Sequence, residues 1–344
     1  MTDETETVDG ELPHPRETGV LFGHGEAEQA LLSAYRSGRI PHAILIGGPR
    51  GIGKATLAYR MAKFVLAHPD PAAPEVMAAQ DLSVQDDHPA ARRVAVQSHP
   101  DLMAIERTAG DKGKLRTQIV IEDVRRSVAF FGSTAGEGGW RIAILDSLDE
   151  MNQAGENAIL KVLEEPPPRS LLLLISHAPG RVRATLRSRC RRLTLRPLSE
   201  DDVTRAAAQA LGRSPRDEDI STAASLAEGS VARALSFLDG DALALHRQVM
   251  AMLDLMPQTD MQALHALGDA LAGADQRVMD GVIDTINTWL SAELDVRKEP
   301  RRMAQLAEAA DAINRAAREA SIYNLERKPL IFQTFSLLAE AARG

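Results

Sequence analysis

The chain has 344 residues, enough for two or three domains with substantial cores. Its net charge of −8 excludes wrapping of nucleic acid by bulk electrostatics, although a local basic face is still compatible with it. The single cysteine, Cys190, excludes an intramolecular disulfide and a cysteine-based zinc site, and no uninterrupted apolar run reaches the roughly 18 residues that a membrane helix needs.

Residues 1–17 are polar and acidic and read as a disordered lead-in. They lack a basic stretch followed by an apolar core, so they are not a secretory signal, and a cytoplasmic location is expected. From Glu26 to Ser37, the positions Ala27, Ala30, Leu31 and Ala34 recur at helical spacing. Ala43 to Ile46 reads as a short buried strand that runs into Gly47-Gly48-Pro49-Arg50-Gly51-Ile52-Gly53-Lys54. A helix follows with Leu57, Met61, Phe64 and Val65 on one face, so strand, glycine loop and helix form the opening unit of a P-loop fold. Residues 68–97 are rich in Pro, Asp and Ala with weak periodicity and read as an insertion or loop region. Leu102 to Ile105 reads as a strand, Asp111 to Gln118 as a polar turn, and Ile119 to Phe130 as a strand end that becomes a helix. Arg141 to Leu145 is a second buried strand, and Met151 to Leu163 a helix stopped by Pro166-Pro167-Pro168. Leu171 to Ile175 is a third apolar strand, and this alternation predicts an α/β fold with a parallel sheet covered on both faces. After Pro197 no buried strand is visible. Ser199 to Leu238 reads as a small helical domain with breaks at Gly212 and Gly229, and residues 241–344 as helices with apolar stripes at Leu264, Leu267, Leu271 and at Val282, Ile286, Leu290.

The glycine loop fits the phosphate-binding pattern G-x-x-x-x-G-K-[ST] at Gly48, Gly53 and Lys54. In such a loop backbone N–H groups point at phosphate oxygens, the lysine reaches the terminal phosphates, and the hydroxyl holds Mg²⁺. The hydroxyl position here is Ala55. Thr56 cannot replace it, because one helical step turns a side chain by about 100°. An active ATPase of this type also ends a buried strand in Asp-Glu, the Asp for the metal shell and the Glu for the attacking water. Here Ile142 to Leu145 leads to Asp146 and then Ser147, which cannot act as that base. Asp149 and Glu150 read as solvated residues opening the next helix, where acids complement the dipole. Two separate losses, at positions 55 and 147, point to a degenerate nucleotide site that does not turn over.

These segments resemble the clamp-loader branch of the AAA+ family, and within it the delta-prime subunits of bacterial DNA polymerase III. The similarity runs through Pro41-His42-Ala43 and the loop, His99-Pro100-Asp101-Leu102, Ile119 to Arg125, Asn157 to Pro167, Leu186-Arg187-Ser188-Arg189-Cys190, and Asn324 to Lys328. The resemblance implies a lead-in over 1–17, an AAA+ P-loop domain over 18–197, a helical lid over 198–240 and a helical collar over 241–344. It implies that Arg189 is an arginine finger reaching a neighbour's ATP, and that Ser176 occupies the γ-phosphate-sensing position. It makes Gly48, Gly51, Gly53, Lys54 and Asp146 a degenerate nucleotide site. It further implies gamma/tau and delta subunits as partners in a hetero-oligomeric ring, a sliding clamp and primed DNA met through that complex, no membrane, and membership of a polymerase holoenzyme without catalysis by this chain. No cofactor is required, although ATP or ADP held without hydrolysis is compatible with Lys54.

The sequence departs from the resemblance in two places. The second-sensor position three residues after Gly229 is Ala232, with Arg233 displaced by one. The four cysteines of the usual zinc module are missing, so no metal is expected, and His68, His88 and His99 read as loop histidines. The alternatives are a working motor subunit of the gamma/tau type, favoured by Lys54 and the glycines but opposed by Ala55, Ser147 and Ala232, and a nucleotide-binding regulator unrelated to replication.

Overall fold

The computed structural model describes residues 13–106, 126, 129–132, 139–151, 153–274, 276–296, 300–323 and 325–343. The chain divides into two compact units, 1–234 and 235–344.

The first unit is built on a five-stranded parallel sheet in the order β2-β3-β4-β1-β5. Its strands are β1 (Ala43–Gly47), β2 (Leu102–Ile105), β3 (Arg141–Leu145), β4 (Ser170–Ser176) and β5 (Arg191–Thr194). The three central strands are continuous apolar runs because both sheet faces are covered. Alternation along each strand divides the core in two. Ile44, Ile46, Ile142, Ile144, Leu171 and Leu173 face α1 (Gly25–Arg36) and α2 (Lys54–Ala67). Ala43, Leu45, Ala143, Leu145, Leu172 and Leu174 face α5 (Gln153–Glu164) and α6 (Ala184–Arg187). The α/β fold class expected from the sequence is the one observed.

Two segments differ from the sequence reading. Residues 68–97 contain two short helices, α3 (Pro74–Ala78) and α4 (Pro89–Ala95), with Val76, Leu82 and Val94 in the same core as α2. Too few apolar residues recur there to show a period, and polar bonds do much of the anchoring. Arg60 pairs with the buried Glu28 at 2.7 Å, Glu28 accepts the Leu82 amide at 3.2 Å, and Arg36 Nε donates to the Val76 carbonyl at 2.7 Å. Of the lead-in expected over 1–17, residues 1–12 lie outside the described residues, and the part from 13 on is ordered. His14 to Glu17 form a turn closed at 2.8 Å, Arg16 Nε donates to the Ala95 carbonyl at 3.0 Å, and His14 Nε2 meets Glu106 at 3.2 Å. Burial of Tyr59, whose hydroxyl donates to Glu106 at 2.6 Å, completes that anchor. The sequence readings for Asp111 to Gln118 and for 119–125 lie outside the described residues, as does Asn324.

Beyond β5 come α7 (Glu200–Leu211), α8 (Glu218–Leu226) and α9 (Val231–Phe237). Ser199 and Asp217 cap the first two, each side chain accepting a first-turn amide. The second unit packs α10 (Ala242–Asp254), α11 (Met261–Ala272), α12 (Gln276–Val296), α13 (Pro300–Tyr323) and α14 (Arg327–Arg343) around one core. Leu264, Leu267, Leu271, Val282, Ile286 and Leu290 are all buried in it, as their helical spacing predicts. Asn287 and Asn314 exchange amide hydrogen bonds of 3.0 Å across α12 and α13. No helix among the described residues is long and apolar enough to cross a membrane.

Candidate functional site

The phosphate-loop geometry begins where β1 ends. The Gly48 amide donates to the Ser176 carbonyl at 3.3 Å, tying the loop to the end of β4. Ser176 itself is fully buried there. Gly48, Gly51 and Gly53 have φ of 149°, 73° and 96°, values that L side chains rarely adopt. Glycines at these angles allow the tight turn of a phosphate loop, a kind of backbone turn that favours an anion. Lys54 opens α2 and is 3% exposed. Its ammonium donates to the Gly48 carbonyl at 2.8 Å and to the Pro49 carbonyl, so the lysine is engaged by its own loop. Burial pushes its pKa down to about 8; Asp146 and Asp149 oppose that, and Arg50 adds to it.

Asp146 lies at the end of β3, where its amide donates to the Ile105 carbonyl at 2.9 Å. Burial raises its carboxyl above the usual range and the nearby Glu106 charge adds to this, while Lys54 and hydrogen bonds from Ser147 work against it. Ser147 takes a left-handed conformation, φ 65° and ψ 52°, and its hydroxyl lies 3.0 Å from His177 Nε2. That turn brings the next acid back toward β4. Asp149 Oδ1 accepts the His177 amide at 2.8 Å, and although burial works to raise its carboxyl, this and other hydrogen bonds hold it low. The sequence reading of Asp149 as a solvated residue is therefore corrected: the reversal at Ser147, which no local pattern announces, ties it to the end of β4.

Two neighbours of the loop escaped the sequence reading. His24 precedes α1 and is buried, with Nε2 2.6 Å from the Ile52 carbonyl. Burial lowers its pKa, so the neutral ring donates Nε2–H to that carbonyl. Its only signal is a lone histidine beside a helix start. The second neighbour is the start of α9. The Ala232 amide donates to the Gly51 carbonyl at 3.3 Å, and a Cβ on Gly51 would stand 2.7 Å from Ala232 Cβ. Arg233, displaced by one from the sensor position, pairs with Glu228 at 3.2 Å.

Arg189 stands apart from this loop, between α6 and β5. Its side chain is 38% exposed; Nη2 meets Glu164 Oε1 at 2.8 Å and Nη1 donates to the Thr185 carbonyl at 3.0 Å. Residues 181–196 contain seven arginines and no acid. Arg183 pairs with the buried Glu156 at 2.7 Å, and Arg187 Nη1 donates to the Pro179 carbonyl at 3.3 Å. Cys190, next to Arg189, is partly buried against the sheet core, and burial pushes its thiol up to about 11. The structure thus gathers Gly48, Gly51, Gly53 and Lys54 in one loop with Asp146 and Asp149 in its field, and puts Arg189 on a separate arginine-rich surface.

A family model described as DNA polymerase III, delta subunit, matches residues 23–199, just over half of the chain. The chain belongs to that family. It is 36% identical over 149 residues to DNA polymerase III subunit delta′ of Pseudomonas aeruginosa, a match covering 43% of this chain and 41% of the relative. It is 31% identical over 160 residues to the delta′ subunit of Yersinia pestis, covering 46% and 43%. It is 27% identical over 275 residues to subunit tau of Escherichia coli K12, covering 77% and 40%. These matches thus span less than half the length of each of these relatives.

Within this family, the residues present fit a nucleotide in part. The glycine cradle and Lys54 suit a phosphate, provided that Lys54 releases the carbonyls of Gly48 and Pro49. Ala55 offers no oxygen to a magnesium ion. Ser147 offers no carboxylate to a water.

Proposed function

We propose that this chain is a delta-prime-type stator of a bacterial clamp loader. It does not turn over nucleotide, supplies Arg189 to the ATP site of a neighbouring subunit, and so helps to place a sliding clamp on primed DNA. One observation carries the reading. The loop that should hydrolyse lacks its metal hydroxyl at Ala55 and its carboxylate at Ser147, while Arg189 is presented on the surface with its guanidinium 2.8 Å from a half-exposed acid. In this reading residues 198–240 form a lid, residues 241–344 contribute to a collar, and gamma/tau and delta subunits complete a ring. ATP or ADP at Lys54, if held, is held without cleavage, and polymerase activity belongs to the holoenzyme.

A planar guanidinium against a γ-phosphate stabilises charge that develops in transfer, and fingers of this kind are worth about 10³–10⁵ in rate at the site they face. The test is steady-state ATP hydrolysis by the isolated chain and by its assembly with gamma/tau and delta subunits. The isolated chain should stay at background, and Arg189→Ala should lower the rate of the assembly while leaving this chain folded. Robust hydrolysis by the isolated chain that Lys54→Ala abolishes would defeat the reading, as would an assembly indifferent to Arg189→Ala.

A further inference from the structure

We infer that Glu164 is a positioning residue for Arg189: it parks the guanidinium on the chain's own surface and releases it when a neighbour's phosphates compete. This rests on the reading of Arg189 as acting in trans. The contact is a charge-assisted bond of 2.8 Å between Arg189 Nη2 and Glu164 Oε1. Nη1 of the same guanidinium donates to the Thr185 carbonyl at 3.0 Å and lies 3.4 Å from Ser188 Oγ. The fork is therefore held from two sides at once, in one orientation.

The placement of Glu164 is what calls for explanation. It is the last residue of α5, where a carboxylate lies at the negative end of the helix dipole, a placement that is locally unfavourable. Arg189 offsets that cost. Both side chains are well exposed, 38% for the arginine and 50% for the acid. A pair so exposed is weak and readily exchanged, which is what a releasable rest needs. A phosphate of a neighbouring nucleotide carries more charge than one carboxylate and accepts both arms of the fork, so it would displace Glu164.

The population of free Arg189 sets how readily it can engage, because apparent affinity falls by the fraction of chains that are competent. Removing the Glu164 charge should raise that population about two- to fivefold, roughly 0.4–1 kcal/mol at 1.4 kcal/mol per tenfold.

Two measurements on Glu164→Gln test this. In the full-length free chain, modification of Arg189 by phenylglyoxal, followed by peptide mass spectrometry, should be about two- to fivefold faster than in the wild type. Arg192, with no ion-pair partner among the described residues, serves as internal reference. The difference should vanish at about 1 M salt, where the screening length is about 3 Å, an outcome that a merely structural role would not give. In the assembly, the concentration of this chain that gives half-maximal ATP hydrolysis should fall about two- to fivefold. An unchanged labelling rate, a difference that persists in high salt, or an unchanged or higher half-maximal concentration overturns the parking role. The labelling arm needs no partner subunit, so the two readings fail separately. If Arg189→Ala lowers hydrolysis and Glu164→Gln changes neither readout, the trans role stands and the parking role falls. If Arg189→Ala changes nothing, the trans role falls and the parking role in assembly falls with it.

Discussion

Lys54→Met tests the claim that the loop lysine is a buried cation held by its own loop. The substitution keeps the apolar stem and removes the ammonium. The fall in pKa from 10.5 to about 8 corresponds to roughly 3 kcal/mol of stability lost by carrying the charge at neutral pH. Against this, the carbonyls of Gly48 and Pro49 lose their donor, at a cost of about 1–3 kcal/mol. The two nearly cancel at pH 7, so the informative quantity is the pH dependence. Between pH 8 and 10.5 the unfolded chain still holds the proton that folded Lys54 has given up, so stability rises with pH in that window. Taking those two pKa values, the gain over pH 7 is on the order of 1 kcal/mol at pH 9 and roughly 2–3 kcal/mol at pH 10. Other groups titrate in the same range, but they do so in both proteins and cancel in the difference. Of the two tryptophans, Trp140 lies in the first unit and Trp289 in the second, so a Trp289→Phe background makes Trp140 fluorescence report on the first unit alone. Urea unfolding at pH 7, 8 and 9 should show the wild type gaining on Lys54→Met by about 1 kcal/mol over that range. Parallel behaviour of the two proteins across that range would refute the burial argument.

Gly51→Ala should destabilise the first unit by about 2–4 kcal/mol in the same assay: its φ of 73° costs a side chain about 1–2 kcal/mol, and the new methyl would press on Ser230 and Ala232. Gly212→Ala is the control, with a similar φ of 63° and nothing within 4 Å of the added carbon, and it should cost only about 1–2 kcal/mol. Glu28→Ala leaves buried Arg60 with the Gly19 carbonyl and only the more distant Asp81 at 3.9 Å, and the Leu82 amide without that acceptor, and should cost about 2–4 kcal/mol by urea unfolding. Cys190, with its thiol pushed up to about 11, should react with iodoacetamide at pH 8 far more slowly than an unfolded thiol, and the contrast should vanish in denaturant.

Parts of this architecture were legible in the sequence for a definite reason. The strands β1, β3 and β4 are buried on both faces, which forces four or five consecutive apolar residues between a turn and a loop. The edge strand β5 is covered less, so Arg191-Arg192-Leu193-Thr194 carries a single apolar residue and no strand signal survives. Residues 68–97 hide for a related reason: Glu28, itself held by Arg60, and Arg36 anchor them through backbone groups, and backbone groups leave no trace in a sequence. The phosphate loop announces itself because its glycines are required by backbone angles. What Lys54 touches is decided by side-chain conformation, and what Asp149 touches by the reversal at Ser147; neither follows from spacing. Arg233 shows the limit of motif matching, since displacement by one position gives it a salt bridge with Glu228.

The two ion pairs between α5 and the residues flanking α6 differ in a way that bears on how Arg189 is presented. Glu156 lies in the first turn of α5, where the dipole favours an acid, and its side chain is only 10% exposed where it meets Arg183 at 2.7 Å. Breaking that pair would leave a charge in a poorly hydrated place, so it acts as a fixed anchor for one end of α6. Glu164 lies at the opposite end of the same helix, disfavoured by the dipole and half exposed where it meets Arg189. The firm pair fixes the backbone from which Arg189 projects, and the weak pair governs only the side chain. Moving the guanidinium toward another molecule then requires rotation about side-chain bonds and no rearrangement of the sheet, a change on a timescale of picoseconds to nanoseconds for an exposed residue. The proposed role in trans needs that combination: a body that holds its shape and one charged group free to leave its resting place.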